Sequence, residues 1–122
     1  MKALLFVGAL AAQDYSVAAR DCFAHDGTLR ALIREYYVCV MENAQRLEPS
    51  EAEPAYIATA AINSCAATYR EIGWRLDACQ VLFAAAIGDS FAQSARGVVR
   101  EGAQSTAIST VVELRAARSS GE

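Results

Sequence analysis

The residues with the clearest capacity for chemistry are the four cysteines and the only histidine, namely Cys22, His25, Cys39, Cys65 and Cys79. Cys22 and His25 stand in a Cys-x-x-His spacing, which is half of a tetrahedral zinc site. The remaining ligands would have to come from distant cysteines that stay reduced. A metal-binding or redox-responsive thiol protein that uses these five side chains is therefore one hypothesis. We instead expect disulfides, with no bound metal and no cofactor.

Motifs of known enzyme classes do not occur in the chain. It has no Cys-x-x-Cys pair, no glycine-rich phosphate loop and no nucleophile elbow. A hydrolytic triad would have to use His25, the only imidazole, as its base. A cluster of carboxylates in the loop, Glu48, Glu51 and Glu53, could form a calcium site or the acid pair of a glycosidase. We instead expect these side chains to be solvated and to favour the start of the next helix by their charge. We therefore predict a protein that is not an enzyme and has no catalytic residues.

Length, composition and charge narrow the class of protein further. The 122 residues suffice for one domain. A hydrophobic fraction of 54% excludes a disordered chain, and its alanine-rich character favours helices. The net charge of −3, with the arginines scattered among the acids, gives no basic surface for phosphates. We expect an all-α protein that does not bind nucleic acid.

The N-terminal segment has the pattern of a secretory signal peptide. Lys2 precedes an apolar run over residues 3–12, and small residues allow cleavage after Ala19, which we prefer, or after Ala11. The run is shorter than the roughly 20 residues that span a bilayer. We therefore predict a signal peptide over residues 1–19 and a secreted or periplasmic protein. An intact, buried N-terminal helix is the alternative interpretation.

Four cysteines in a short exported chain predict a disulfide framework. In an antiparallel hairpin, each pair of facing residues is centred on nearly the same sequence position, which lies in the connecting loop. The pairs Cys22–Cys79 and Cys39–Cys65 are both centred in the loop at 48–54. Cys65 and Cys79 are too far apart on one helix, about 21 Å at 1.5 Å per residue, whereas bridged Cα atoms lie within about 7 Å. Pairing Cys22 with Cys65 and Cys39 with Cys79 gives two pairs centred on different sequence positions, which one hairpin cannot accommodate. We therefore predict two nested bridges, Cys22–Cys79 and Cys39–Cys65.

This layout is similar to that of the helical-hairpin proteins of the mitochondrial intermembrane space, in which cysteine pairs on facing helices form nested bridges. Here sixteen residues separate the first two cysteines and thirteen the last two, which are wider intervals than in that family. We therefore infer neither membership of that family nor its function.

The two arms of the hairpin are predicted at about 28–47 and 54–87. Pro54 suits the first position of the second arm, and Ser50 with Glu53 could form a capping box. The second arm shows the strongest period in the chain, an apolar seam with alternating spacings of four and three. The seam residues are Ala58, Ile62, Cys65, Tyr69, Ile72, Leu76, Cys79, Phe83 and Ala86.

Two features of the first arm bear on the bridges. The Asp26-Gly27 pair predicts a turn that breaks the helical path and lets Cys22 fold back to meet Cys79. Asn43 lies on the inward stripe of the arm, where it would either fix the register of the hairpin or reach water near the helix end.

A third helix is predicted from Asp89 to about Arg100, with Phe91, Ala95, Val98 and Val99 inward. After Gly102 the pattern changes phase, so that helix over 105–112 is a weaker expectation. The helical domain is predicted to end at residue 118, with a disordered tail over 119–122.

The outer face of the second arm carries Trp74, which a two-helix hairpin would leave in water. We expect the third helix to cover it. Tyr36 and Tyr37 are adjacent, so only one of their rings can face the partner arm. If Trp74 is exposed, it forms with Tyr37 the candidate interaction surface.

Taken together, the patterns predict a disulfide-stapled antiparallel helical hairpin with a third helix packed on it. For its function we expect a small non-enzymatic binding or interaction module of the cell envelope, such as an inhibitor, a chaperone-like protein or an accessory protein. We expect its partner to be another protein of the envelope, and we expect the chain itself to have no stable membrane span.

Overall fold

The computed structural model describes residues 20–87 and 90–121 of the chain. Its described part is all-helical, which confirms the predicted fold class. Residues 20–25 are helical, and the elements that follow are α1 (Gly27–Leu47), a 3-10 turn (Glu48–Ser50), α2 (Pro54–Ser64), α3 (Ala66–Ile87) and α4 (Phe91–Gly121). The predicted signal peptide over 1–19, the possible helix start at Asp89 and the last residue of the predicted tail lie outside the described residues.

The first arm begins where the sequence predicts. The Asp26 side chain caps α1 by accepting hydrogen bonds from the backbone N–H groups of Thr28 at 3.1 Å and Leu29 at 3.2 Å. This satisfies N–H groups that have no partner in the first turn of a helix. The Asp26 N–H itself donates to the carbonyl of Cys22 at 2.8 Å, which closes the preceding helical turn. The chain therefore changes direction at this aspartate.

The second arm is two helices, not the single helix predicted over 54–87. Cys65 separates α2 from α3 with φ −107° and ψ 19°, and its N–H donates to the carbonyl of Ile62 at 3.0 Å, three residues back. Such a bond tightens the chain locally into a 3-10-type turn without reversing it. The apolar seam therefore continues across the break, with Ala58, Cys65 and Ile72 all buried. The side chain of Ala86 lies outside the described residues.

The second arm starts at Pro54 as predicted, but the capping box does not form. Glu53 occupies the N-cap position without a side-chain hydrogen bond, and Ser50 Oγ instead accepts from the N–H of Ala52 at 3.4 Å. Proline at the first position removes one N–H that would otherwise need a partner. The helix is therefore started by proline geometry and not by a reciprocal cap.

The C-terminal helix α4 is much longer than predicted. It runs without a break past Gly102, so the predicted helix over 105–112 is confirmed, and residues 119–121, where a disordered tail was predicted, are helical as well. Val98, predicted to point inward, is 55% exposed. Four of the seven buried residues of α4 are alanines, and from Ala92 onward the buried positions recur at spacings of three and four. The buried residues are Phe91, Ala92, Ala95, Val99, Ala103, Ala107 and Val111.

Small side chains let α4 approach the hairpin closely, and it packs against α1, α2 and α3. The core lies where these helices meet, and its fully buried large side chains include Leu29, Tyr36, Val40, Ile57, Ile72 and Val111. Among the described residues, no helix combines the length and apolarity needed to cross a bilayer.

Candidate functional site

Both predicted disulfides are present. The Cα atoms of Cys22 and Cys79 are 5.7 Å apart, and those of Cys39 and Cys65 are 6.1 Å apart. These separations lie within the usual range for bridged cysteines. The outer bridge joins the helical residues 20–25 to α3, and the inner bridge joins the middle of α1 to the break between α2 and α3. The two bridges thus clamp the hairpin at two levels.

The fold-back that brings Cys22 to Cys79 depends on Asp26. Its two carboxylate oxygens accept hydrogen bonds from Arg75 of α3 at 3.1 and 3.0 Å, and this ion pair raises the pKa of Arg75. Arg75 stands one helical turn before Cys79, so the ion pair and the outer bridge are neighbours on α3. Asp26 therefore both caps α1 and ties the start of α1 to the second arm.

His25 lies beside this turn, exposed to solvent. Its ring contacts the ring of Phe83 edge-on, with centroids 5.7 Å apart. Cys22, the other half of the Cys-x-x-His motif, is bonded to Cys79 and not available as a thiolate. Over residues 20–87 and 90–121, histidine, cysteine and carboxylate side chains form no group that could hold a metal ion.

Asn43 lies against the inner bridge. Its Nδ2 donates to the carbonyl of Cys39 at 2.8 Å and lies 3.5 Å from Sγ of Cys65. The half-buried amide thus contacts both ends of the bridge. This placement agrees with a role in fixing the register of the hairpin.

Glu48 contradicts the prediction of a solvated loop carboxylate. It is 3% exposed, and Arg118 and Arg115 of α4 approach it, with Arg115 Nε 3.8 Å from its carboxylate. Arg115 also donates to the carbonyls of Glu48 at 3.3 Å and Ala52 at 2.7 Å. Glu51 and Glu53 do remain exposed. The two arginines stand three residues apart on one face of a helical segment, which is the only sequence signal for this cluster.

Trp74 is 67% exposed, so the prediction that the third helix covers it is wrong. It shares the outer face of α3 with Ala78 and with Val81 and Leu82, which are 79% and 59% exposed. We call these four residues the Trp74 face. The face follows from helical spacing, because positions three, four, seven and eight apart lie on one side of a helix.

The reason for this exposure is the side of α3 on which α4 packs. The Tyr69 hydroxyl donates to the carbonyl of Arg96 at 3.1 Å, and Arg96 donates to both carboxylate oxygens of Asp77 at 2.8 and 2.6 Å. Gly73 makes room for this contact, because a Cβ there would lie 2.7 Å from Arg96 Nε. The contacts place α4 on the flank of α3 and leave Trp74 uncovered.

This ion pair makes a testable contribution to acid stability. The guanidinium of Arg96 lowers the pKa of Asp77 below its usual 3.8, so the pair stabilises the fold above about pH 4 and this contribution is lost as the pH falls through the lowered pKa. Because the Asp77 side chain is 54% exposed, we expect Asp77→Asn to cost less than about 1 kcal/mol near neutral pH. Urea unfolding at about pH 6 and pH 2.5 measures this, with Asp21→Asn as an exposed control. A cost for Asp77→Asn that is the same at both pH values would contradict the assignment.

Tyr37 does not join Trp74 in one surface. Tyr36 takes the core position, fully buried, and Tyr37 lies half-buried between α1 and α4. Its hydroxyl would be 2.5 Å from a Cβ at Gly102, so this glycine allows the close approach of the ring. Burial raises the pKa of Tyr37. The two residues proposed for interaction therefore occupy different sides of the molecule.

Tyr37 lines an apolar cavity of about 250 Å³ that the sequence does not predict. The cavity lies where residues 20–25, α1, α3 and α4 meet. Its walls include Phe23, Ile33, Tyr37, Leu76, Phe91 and Val98. No local pattern indicates it, because each wall residue also suits an ordinary core position.

A second cavity of about 280 Å³ is partly polar and borders the Trp74 face. Ala78 and Leu82 line one side of it, and His25, Asp26 and Arg75 supply polar groups. The two cavities are thus distinct in chemistry and in place.

Comparison of the chain with protein-family models, with curated proteins and with solved structures found no match.

Proposed function

We propose that this protein is a non-enzymatic binding module of the cell envelope, secreted or periplasmic, that docks on a protein partner through the Trp74 face. The observation that carries the proposal is the 67% exposure of Trp74 beside the exposed Val81 and Leu82. Tryptophan is enriched at the energetic centres of protein interfaces, and contiguous exposed apolar residues mark interaction sites.

The disulfides support both the compartment and the binding role. Bridges of this kind persist in oxidising compartments, whereas cytosolic thiols are kept reduced. Cys65 immediately precedes α3 and Cys79 lies within it, so Trp74 stands between two bridged positions. A surface held rigid before binding loses less conformational entropy when the partner docks.

The surroundings of the Trp74 face also suit an interface. The partly polar cavity at Ala78 and Leu82 places the Asp26–Arg75 ion pair at the edge of the apolar residues. Protein interfaces commonly have an apolar centre with a polar, solvent-accessible rim. A partner that buries Trp74 would meet these charges at its margin.

The alternative function, a metal-binding or redox-responsive thiol protein, requires reduced cysteines. Thiol counting by mass spectrometry on protein from its native source separates the two. We expect no free thiols. Four free thiols would favour the alternative and contradict the proposed compartment.

The docking role is tested with a photo-crosslinking residue at Ala78, an exposed position of the Trp74 face that leaves Trp74 in place, used to identify the partner in the envelope fraction. Affinity for that partner is then measured for Trp74→Ala. We expect a loss of about thirtyfold, which corresponds to about 2 kcal/mol for an interface hot spot.

Tyr56 is the matched control, since it is an exposed aromatic residue on α2 with 71% exposure. Tyr56→Ala should change the affinity by less than about threefold. Equal losses for the two variants, or crosslinks at position 56 that match those at position 78, would rule out the Trp74 face as the docking site.

A further inference from the structure

We propose that the apolar cavity beside Tyr37 binds a free medium-chain carboxylate, with about ten carbons inside the cavity and the anionic group at its mouth near Arg30. This binding site is separate from the docking function proposed above. Leu76 lines the cavity, whereas Trp74, two residues earlier on α3, faces solvent. Two helical residues at this spacing point about 200° apart.

The size of the cavity sets the length of the ligand. An apolar cavity of about 150 Å³ accommodates benzene, with six carbons, so the 250 Å³ here corresponds by proportion to about ten carbons. The side chains of Phe23, Ile33 and Phe91 in its wall offer no hydrogen bonds to water. Water in such a cavity lacks the two to four polar partners that would hold it, so an apolar chain is the favoured occupant.

Access to the cavity is at Val98. This side chain lines the cavity and yet is 55% exposed, so it forms part of the rim. Phe23, which also lines the cavity, is half-buried. A ligand can therefore enter between residues 20–25 and α4 without unfolding either element.

The charge at this end of the cavity favours an anion. The guanidinium carbon of Arg30 lies 5.2 Å from the centroid of the Phe23 ring, which forms part of the wall. Arg34 follows one helical turn later, also exposed, and Ile33 between them faces the cavity. Arginine is the side chain best suited to a carboxylate, because its planar group donates in a fork.

The test is calorimetric titration of the full chain with straight-chain carboxylates from hexanoate to dodecanoate, each below its micellar concentration. We expect binding to tighten about fourfold for each added methylene up to about ten carbons and then to level off. Decanoate should bind at least about threefold more tightly than decyltrimethylammonium, which has a cationic head group.

Two pairs of surface variants locate the site. Val98→Phe should weaken decanoate binding at least about tenfold by filling the rim, whereas Val112→Phe, at a valine of α4 with 51% exposure outside the cavity, should not change it. Arg30→Gln should abolish the preference for the anionic head group, and Arg70→Gln, on exposed α3 surface, should leave it intact.

The proposal is overturned if decanoate does not bind at millimolar concentration, if affinity is independent of chain length, or if Val98→Phe and Val112→Phe behave alike. Loss of binding in Val98→Phe without any effect of Arg30→Gln would also overturn it, because the ligand would then not be recognised as an anion. Binding to the envelope partner, measured with the same Val98→Phe protein, should be unchanged. The two functions are therefore tested independently.

Discussion

Replacing Cys39 and Cys65 together by alanine is expected to lower the free energy of unfolding by about 3.5 kcal/mol. The inner bridge closes a loop with a sequence separation of 26, and its loss frees that loop in the unfolded chain. Typical domains are stable by only about 5–15 kcal/mol, so this is a large fraction of the total. The outer bridge still joins the arms, so helical content should persist. Urea unfolding followed by circular dichroism measures the change.

Removal of the outer bridge should have a different signature. Its separation of 57 gives an entropic contribution of about 4 kcal/mol by the same relation. However, residues 20–25 depend on that bridge, whereas the Asp26–Arg75 ion pair can still hold the start of α1. In Cys22→Ala/Cys79→Ala, amide hydrogen exchange should therefore rise first in residues 20–25. Loss of protection spread evenly over both arms would contradict this division of roles.

Peptide mapping provides the control for connectivity. Trypsin cleavage after Arg30, Arg46 and Arg70 places the four cysteines on separate peptides. Non-reducing digestion of the wild-type chain should yield two linked pairs that separate on reduction. A peptide joining Cys22 to Cys39 would show that the hairpin register is wrong.

Replacing Arg115 by alanine is expected to lower the free energy of unfolding by about 2 kcal/mol, because it leaves the carboxylate of Glu48 with Arg118 alone of its two arginine partners. Glu48 is 3% exposed, so water cannot take the place of the lost guanidinium. The variant also removes the donors to the carbonyls of Glu48 and Ala52. Chemical denaturation at neutral pH measures the loss.

Removing the charge of Glu48 should lower the free energy of unfolding less than removing its partner Arg115 does. Glu48→Gln keeps the shape and leaves unpaired arginines that are 27% and 55% exposed, so water can solvate them, and we expect a cost of about 1 kcal/mol. Arg100→Ala makes the same substitution as Arg115→Ala at an exposed position of α4 and should cost less than about 0.5 kcal/mol. If Arg115→Ala lowers the free energy of unfolding no more than Arg100→Ala does, the contacts of Arg115 with Glu48 and Ala52 do not stabilise the fold.

Ion pairs tie α4 to the rest of the fold near both of its ends. Arg96 reaches Asp77 near its start, and Arg115 with Arg118 reaches Glu48 near its end. Between them the alanine face packs on the hairpin. The position of α4, and with it the exposure of Trp74 and the shape of the cavity, follows from these contacts.

The features that the sequence alone predicted are local or follow from simple geometry. The period of the second arm, the Asp26-Gly27 turn and the proline at position 54 set the helices of the hairpin. The cysteine spacing then allowed only one pair of bridges to share a midpoint in the loop, and the structure confirms both. Each of these inferences depends on neighbours along the chain or on the length of a helix, which a sequence states directly.

The tertiary structure decided the rest, namely the site of α4, the burial of Glu48, the exposure of Trp74 and the apolar cavity. Alanine contributes little to a hydrophobic period, so the buried face of α4 through Ala103 and Ala107 resembles its exposed faces in sequence. The docking side of α4 was instead selected by contacts across the chain, such as Arg96 passing over Gly73 to Asp77. Such contacts leave no periodic pattern in the amino-acid sequence, because they depend on which surfaces meet once the helices have formed.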